Sequence, residues 1–398
     1  MKTTTQKLQS NIWKSVIYLI TQKRTYLTFL TIYLLTFPDA TVRTIGLVSF
    51  LSQVAGFFFE IPSGYIADKI GHKNALVISK TCMVVSTACY VFANSISWFI
   101  IGGIITSLGF AFSSGTFKAF LHETLTSLKR EANFSKIYGR MKSISFAIPV
   151  VFILLLAFVA EFDYKMAFVV ALVLDVIGLV FTSILFSPSI KEEIQEINIM
   201  KNFSSILREW KNAGWLPYIG FTIAVMALYL STTIGFKNPF QESLGFSISM
   251  LGIFLACSRG IASILLLTNG FIYKLFNYKN FLIFKTFLFL ICFSLIAFVQ
   301  TPWVVAVSFM FIPGIMWGFS ATDSQHQLGF IIDSKNKATL FSINALIEKF
   351  FTGILAVGMG ILILNSSYFF AYQVVALVFL VLIIIAFFIL PRRNKKLA

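Results

Sequence analysis

The sequence predicts an all-α polytopic membrane protein, with twelve transmembrane helices in two six-helix halves. Three observations predict it: an apolar composition, continuous hydrophobic runs of spanning length, and basic residues gathered on one side. Hydrophobic residues fill 58% of the 398 positions and charged residues only 12%. A water-soluble domain needs more polar surface than that to cover its core. Hydrocarbon tails must therefore cover much of this one. About 20 helical residues cross the ~30 Å of bilayer hydrocarbon. Twelve such spans and short loops use nearly the whole chain. The runs are continuous, as from Val374 to Leu390, without the period-two alternation of a membrane β-barrel. No cleavable signal peptide is expected, because the run from Ile12 to Ile20 meets polar Gln22, Lys23 and Arg24 with no small-residue cleavage site.

Taken in order, the spans are expected at 14–37, 43–67, 76–94, 97–121, 140–160, 166–187, 214–236, 248–270, 280–300, 302–325, 338–363 and 367–390. With both termini cytoplasmic, the inner segments carry 24 Lys and Arg, Lys80 and Lys285 among them. The outer loops carry only Arg43, Lys165 and Lys237. The positive-inside rule then sets the orientation of a multi-pass protein of the cytoplasmic (inner) membrane. The net charge of +16 is thereby assigned to anionic lipid headgroups rather than to nucleic acid. The four cysteines lie in apolar runs without CxxC spacing and read as small buried hydrophobes.

The longest polar stretch divides the chain into an N-terminal half, 1–187, a cytoplasmic linker, 188–213, and a C-terminal half, 214–398. Ile199, Phe203, Ile206, Leu207 and Trp210 recur in the linker at roughly helical spacing, which suggests an amphipathic helix lying at the interface. The halves repeat faintly. Shifted by 206 positions, Gly64 meets Gly270 and Lys73 meets Lys279, while Asp68 meets Lys274 and Gly71 meets Asn277.

The segment Gly64 to Lys73 reads G-x-x-x-D-x-x-G-H-K. Gly64 is expected to let two helices approach closely. Gly71 suits a tight turn with positive φ. Asp68 is an anion suited to a helix N-terminus or a neighbouring Arg. His72 and Lys73 would anchor the loop at the headgroups. Lying after the second span, this segment resembles the signature loop of the major facilitator superfamily. The resemblance implies a transporter whose two halves rock about a central site, with Gly64, Asp68, Gly71, His72 and Lys73 forming a conformational latch. His72 departs from the more usual Arg.

Further segments resemble one bacterial branch of that superfamily, rich in efflux pumps. They are Glu60-Ile61-Pro62-Ser63-Gly64, then Ser114-Gly115-Thr116 with Ala119, Glu123 and Leu125, and Lys337-Ala338-Thr339 with Ser342. Lys118 departs, since many relatives carry an acid there.

An ionisable group in hydrocarbon costs roughly 2.5–3.5 kcal/mol or more, so each one is a site candidate. Lys23, Arg24, Lys118 and Arg259 are the substrate-binding candidates. Glu348 and Asp323, with Glu60 behind them, are the proton-coupling candidates. Glu348 is ten residues into its span, about 15 Å deep at 1.5 Å per residue. In the family's architecture spans 1, 4, 7 and 10 line the cavity, which implies that Lys23 or Arg24, Lys118 and Asp323 face it. Adjacent Lys23 and Arg24 point about 100° apart and cannot both do so. Lys118 and His122 are four residues apart and share a helix face. Asp175, on a span expected to pack outside, reads as structural, as do His122 and His326. For every intramembrane charge the competing reading is a structural ion pair or a snorkelling side chain.

Together these features predict a secondary active transporter working by alternating access, a proton-coupled exporter of a small amphipathic organic compound. The alternative is an importer or exporter of an anionic metabolite or carboxylate siderophore, because Lys118 and Arg24 suit carboxylates and phosphates. The expected partners are that small-molecule substrate, protons and membrane lipids, with no nucleic acid, and the expected state is a monomer. Neither cofactor nor metal is expected. An enzyme is not expected either: the sequence holds no P-loop or catalytic triad, and His122-Glu123 lacks the HExxH spacing. A non-transporting sensor of the same fold would be expected to add a soluble domain.

Overall fold

A computed structural model of the chain describes residues 3–130, 133–188, 215–330 and 337–391. All regular structure among them is helical. The helices are α1 Thr4–Thr21, α2 Leu30–Leu35, α3 Val42–Ile70, α4 His72–Val91, α5 Ile96–Ser113, α6 Thr116–Ser127, α7 Phe134–Phe162, α8 Tyr164–Ser183 and α9 Leu216–Thr233. They continue with α10 Lys237–Ser243, α11 Ile248–Leu267, α12 Asn269–Leu275, α13 Tyr278–Phe298, α14 Pro302–Gly318, α15 Ser320–Phe330, α16 Lys337–Asn365 and α17 Tyr368–Ile389.

Among the described residues, eleven helical stretches are long and apolar enough to cross a membrane. The first expected span is not one of them. It consists of α1, a 3-10 turn at Thr25–Thr28 and the six-residue α2. The helix stops at Thr21 because Gln22, Lys23 and Arg24 follow, and the backbone of Arg24 leaves the helical region (φ −75°, ψ 86°). Beyond its first residue, the expected linker lies outside the described residues. So do the side chains of Lys337, Thr339 and Ser342.

The chain forms two compact units. The first comprises Met1–Ala40, Leu47–Gln195 and Ser247–Gly252, and the second Thr41–Gly46, Glu196–Phe246 and Ile253–Ala398. In the first unit α4 packs against both α5 and α8. Its face of Leu76, Ser79, Lys80, Met83 and Thr87 is fully buried. Ser79 Oγ donates to the Gly109 carbonyl at 2.7 Å and Ser86 Oγ to the Gly102 carbonyl at 2.8 Å. Those glycines let α5 come close. A Cβ on Gly102 would stand 2.6 Å from the Tyr90 ring.

In the second unit α13 packs against α14 and α17, and α9 against α16. Phe293 stacks on Tyr372 and Phe379, and Phe309 meets Tyr372 edge-on, forming an aromatic core there. Lys279 sits at the start of α13 and donates to the carbonyls of Phe387 (2.8 Å) and Leu390 (2.6 Å). A cation thus caps the negative end of the last helix. Large apolar side chains point outward instead, Leu267 at 88% exposure and Phe388 at 85%. That is the surface hydrocarbon tails would cover.

The fourth spanning stretch of each unit is broken. The break between α5 and α6 falls at Ser114-Gly115, where Gly115 has φ +73°. The break between α14 and α15 falls at Phe319. Ser114 and Phe319 are 205 positions apart.

Candidate functional site

Arg24 lies just past the end of α1 and turns its guanidinium into the interior, where it is 7% exposed. Its Nη1 donates to Asp175 Oδ2 at 2.6 Å and to Thr87 Oγ1 at 3.1 Å. Thr87 Oγ1 also donates to Asp175 Oδ2 at 2.6 Å. The other Asp175 oxygen accepts from Lys80 Nζ at 3.2 Å, and Lys80 donates as well to the Thr21 carbonyl at 2.9 Å. Three helical segments that would otherwise carry isolated charges are thereby joined. Asp175 holds the structural position expected of it. Lys80 does not sit where the orientation argument put it: it is fully buried on α4, since this lone carboxylate gives its ammonium a partner.

Lys23 points elsewhere. Its Nζ stands 4.4 Å from the centre of the Phe146 ring on α7, a cation–π contact. Lys118 and His122 do share a face, lining a cavity of about 370 Å³ with Ala119, Glu123 and Phe134. Beside it His72 Nδ1 is 2.8 Å from Glu123 Oε1, and His72 Nε2 is 3.6 Å from Asp68 Oδ1.

Within the expected latch, Gly71 takes the positive φ anticipated for it (+89°) and joins α3 to α4. One expectation is corrected. Among the described residues Gly64 has no neighbour within 4 Å of where its Cβ would be, so no close helix contact forms there. Asp68 Oδ1 lies 3.6 Å from Nε2 of His72, the first residue of α4. Glu60 is half-buried on α3 in the first unit.

The second unit holds a cavity of about 240 Å³, lined among others by Trp215, Tyr278, Asp323, Gln327, Asn344 and Glu348. Asp323 is on α15, just past the break in the fourth stretch. It forms an ion pair with Lys285 of α13 and accepts a bond from Tyr278 Oη at 3.2 Å. Lys285, like Lys80, is buried (1% exposed) rather than cytoplasmic, for the same reason. Glu348, half-buried on α16, is within electrostatic reach of both Asp323 and Lys285. Asn269 fixes the break: its Nδ2 donates to the Gly318 carbonyl at 3.0 Å, and its Oδ1 accepts from the Thr322 N–H at 3.1 Å. Arg259 is buried on α11 and is not among the residues lining this cavity. His326 is packed among Tyr273, Tyr278 and Phe281.

Discontinuous fourth stretches, paired intramembrane charges and a two-unit helical fold suit a carrier, and comparison with known proteins settles the family. The model of the Major Facilitator Superfamily matches residues 15–328. The chain belongs to that superfamily. The superfamily chain is 24% identical over 238 residues to an uncharacterized MFS-type transporter, YxaM of Bacillus subtilis (strain 168), and the match spans 58% of each chain. Solved structures share its fold, two of them as follows. A mutant of the nucleoside transporter NupG has a TM-score of 0.82 at 15% identity, covering 96% of this chain and 100% of that one. A D-xylose–proton symporter has a TM-score of 0.72 at 11% identity, covering 97% of each.

Several site residues escaped the sequence reading. Lys80 and Lys285 fall among the expected cytoplasmic charges, though each sits about eight residues into an apolar helix. That depth was the available signal. Lys237, placed in an outer loop, is 7% exposed at the start of α10. Burial there pulls its ammonium down to about 8. No pattern in the sequence marks Asn269 as the clasp of the α14–α15 break.

Proposed function

We propose that this superfamily member is a proton-coupled secondary transporter that exports a small amphipathic organic solute by alternating access. The second-unit cavity carries the reading. Its wall combines the aromatic side chains of Trp215 and Tyr278 with the amides of Gln327 and Asn344 and the carboxylates of Asp323 and Glu348. Such a wall suits a solute with an apolar body and hydrogen-bonding edges. Nucleosides are the first class to assay, since the NupG likeness covers 96% of this chain. A proton carrier needs a carboxylate without a fixed counter-charge. Asp323 is tied to Lys285. Among the described residues Glu348 has no ion pair within 4 Å, which makes it the better carrier of the two. Outward movement is favoured by the resemblance of Glu60 to Gly64 and of Ser114 to Leu125 to the efflux-rich branch.

The test is flux of labelled uridine and of a panel of ring-bearing amphipathic solutes in proteoliposomes with an imposed pH gradient. Glu348→Gln should abolish gradient-driven flux while leaving solute exchange at equal pH. If Glu348→Gln and Asp323→Asn each leave gradient-driven flux unchanged, the coupling proposal fails. Comparing inverted vesicles with intact cells fixes direction.

A second reading, an anionic solute, is favoured by Lys118 and His122 lining their own cavity. Lys118→Gln would then reduce flux of carboxylates far more than of neutral solutes.

A further inference from the structure

The Arg24–Lys80–Asp175 cluster is unbalanced. Two buried cations share one carboxylate, and both oxygens of that carboxylate are already engaged, Oδ1 by Lys80 and Oδ2 by Arg24 and Thr87. A net buried charge left without a counter-ion is strongly unfavourable.

The arginine itself shows where a counter-ion would bind. Every bond its guanidinium makes to Tyr26, Thr87 and Asp175 uses Nη1. Nε and Nη2 are buried and have no acceptor among the described residues. These two atoms form one edge of the guanidinium, with two N–H bonds running parallel, the arrangement that grips an anion bidentately. Arg24 also lines a small cavity of about 20 Å³ with Thr21, Phe152, Leu174 and Asp175. A space of about 10–15 Å³ admits one water-sized particle, so a monatomic ion is the best match in size. A water molecule would satisfy the two donors and leave the excess charge in place. A single monatomic anion answers both.

We infer that the first unit binds one halide ion, chloride under physiological conditions, on the Nε/Nη2 edge of Arg24. The ion balances the charge of the Arg24–Lys80–Asp175 cluster and holds the end of α1 against α8. The site is independent of which solute the transporter carries.

Two measurements on the purified full-length transporter test this. The first is thermal unfolding in sodium chloride against sodium gluconate at equal concentration. A ligand bound to the folded state alone raises its stability, and chloride should raise Tm by about 2–4 °C. Arg24→Gln leaves a neutral Lys80–Asp175 pair, so it should fold and lose the chloride response. Arg24→Lys keeps the charge but not the fork, and should lose it too. The second measurement is anomalous diffraction from wild-type crystals grown in bromide, with a peak expected beside Arg24 Nε and Nη2. It stands even if both variants fail to fold. Equal Tm in chloride and gluconate, a chloride response that survives Arg24→Gln, or bromide-free density beside Arg24 would each overturn the assignment.

Discussion

At the scale of the residue, the buried charges divide into those with an ion-pair partner and those without one. Asp175 holds two cations. Removing its charge leaves both unpaired in the interior, a loss of about 3–5 kcal/mol by the usual behaviour of broken buried pairs. Asp175→Asn should therefore lower the Tm of the detergent-solubilised protein far more than Lys80→Met, which leaves Arg24 and Asp175 as a one-to-one pair. Equal losses in the two variants would show that the carboxylate is not the hub of the cluster.

Lys237 presents the opposite case, a buried cation with no ion pair among the described residues. Its pKa is lowered in the folded state from 10.5 to about 8, so between those values the unfolded chain holds more protons. Stability then rises with pH across the window from about 8 to 10.5. Below pH 8 the full penalty applies, roughly 3 kcal/mol at 1.36 kcal/mol per unit. Lys237→Met should raise Tm at pH 7 and flatten its rise from pH 8 to 10.

Elements are set by their ends, and here sequence legibility was uneven. Gly71 was readable, because a glycine between two apolar runs marks a left-handed turn. With φ at +89°, Gly71→Ala should cost about 1–2 kcal/mol, measurable as reduced folded yield and lower Tm. The broken first span was half readable: Gln22, Lys23 and Arg24 interrupt the hydropathy, but only Asp175, some 150 positions later, explains why the chain turns inward there. The α14–α15 break was not readable at all. It depends on one side chain from another helix, Asn269, which satisfies a carbonyl and an N–H that the kink at Phe319 frees. Asn269→Leu keeps the branched shape of the side chain and removes both bonds. It should destabilise by about 1–3 kcal/mol and reduce flux beyond what the lost folded fraction accounts for, because the break places Asp323 on the cavity wall. Flux per folded molecule equal to wild type would mean that the break positions nothing.

For the whole molecule, the repeat seen as a 206-position echo in the loops reaches deeper than the loops. Lys80 and Lys285 are 205 positions apart, on the third spanning helix of their own units, and each is buried against an aspartate. Lys118 and Asp323 are likewise 205 apart, each just past a broken fourth stretch. The two units thus share a scaffold but carry opposite charge at that one position. Sequence comparison of the halves could not reveal this pairing, since the aspartates come from different helices, α8 in one unit and α15 in the other.

The repeat also bears on orientation. Two parallel repeats of six spans place their equivalent loops on the same side of the membrane, so Lys73 and Lys279 should face the cytoplasm together. Removing Lys80 and Lys285 from the inner count leaves the excess of inner Lys and Arg intact, and the positive-inside rule still points the same way. Cysteines introduced singly at Lys73, Lys279 and Lys165, in a background with Cys82, Cys89, Cys257 and Cys292 replaced, make this testable. An impermeant maleimide should label Lys165→Cys in intact cells, and label Lys73→Cys and Lys279→Cys only after the membrane is opened. Labelling of Lys73→Cys and Lys279→Cys from opposite sides would break the parallel repeat itself, whereas both labelling from outside would keep the repeat and invert the protein.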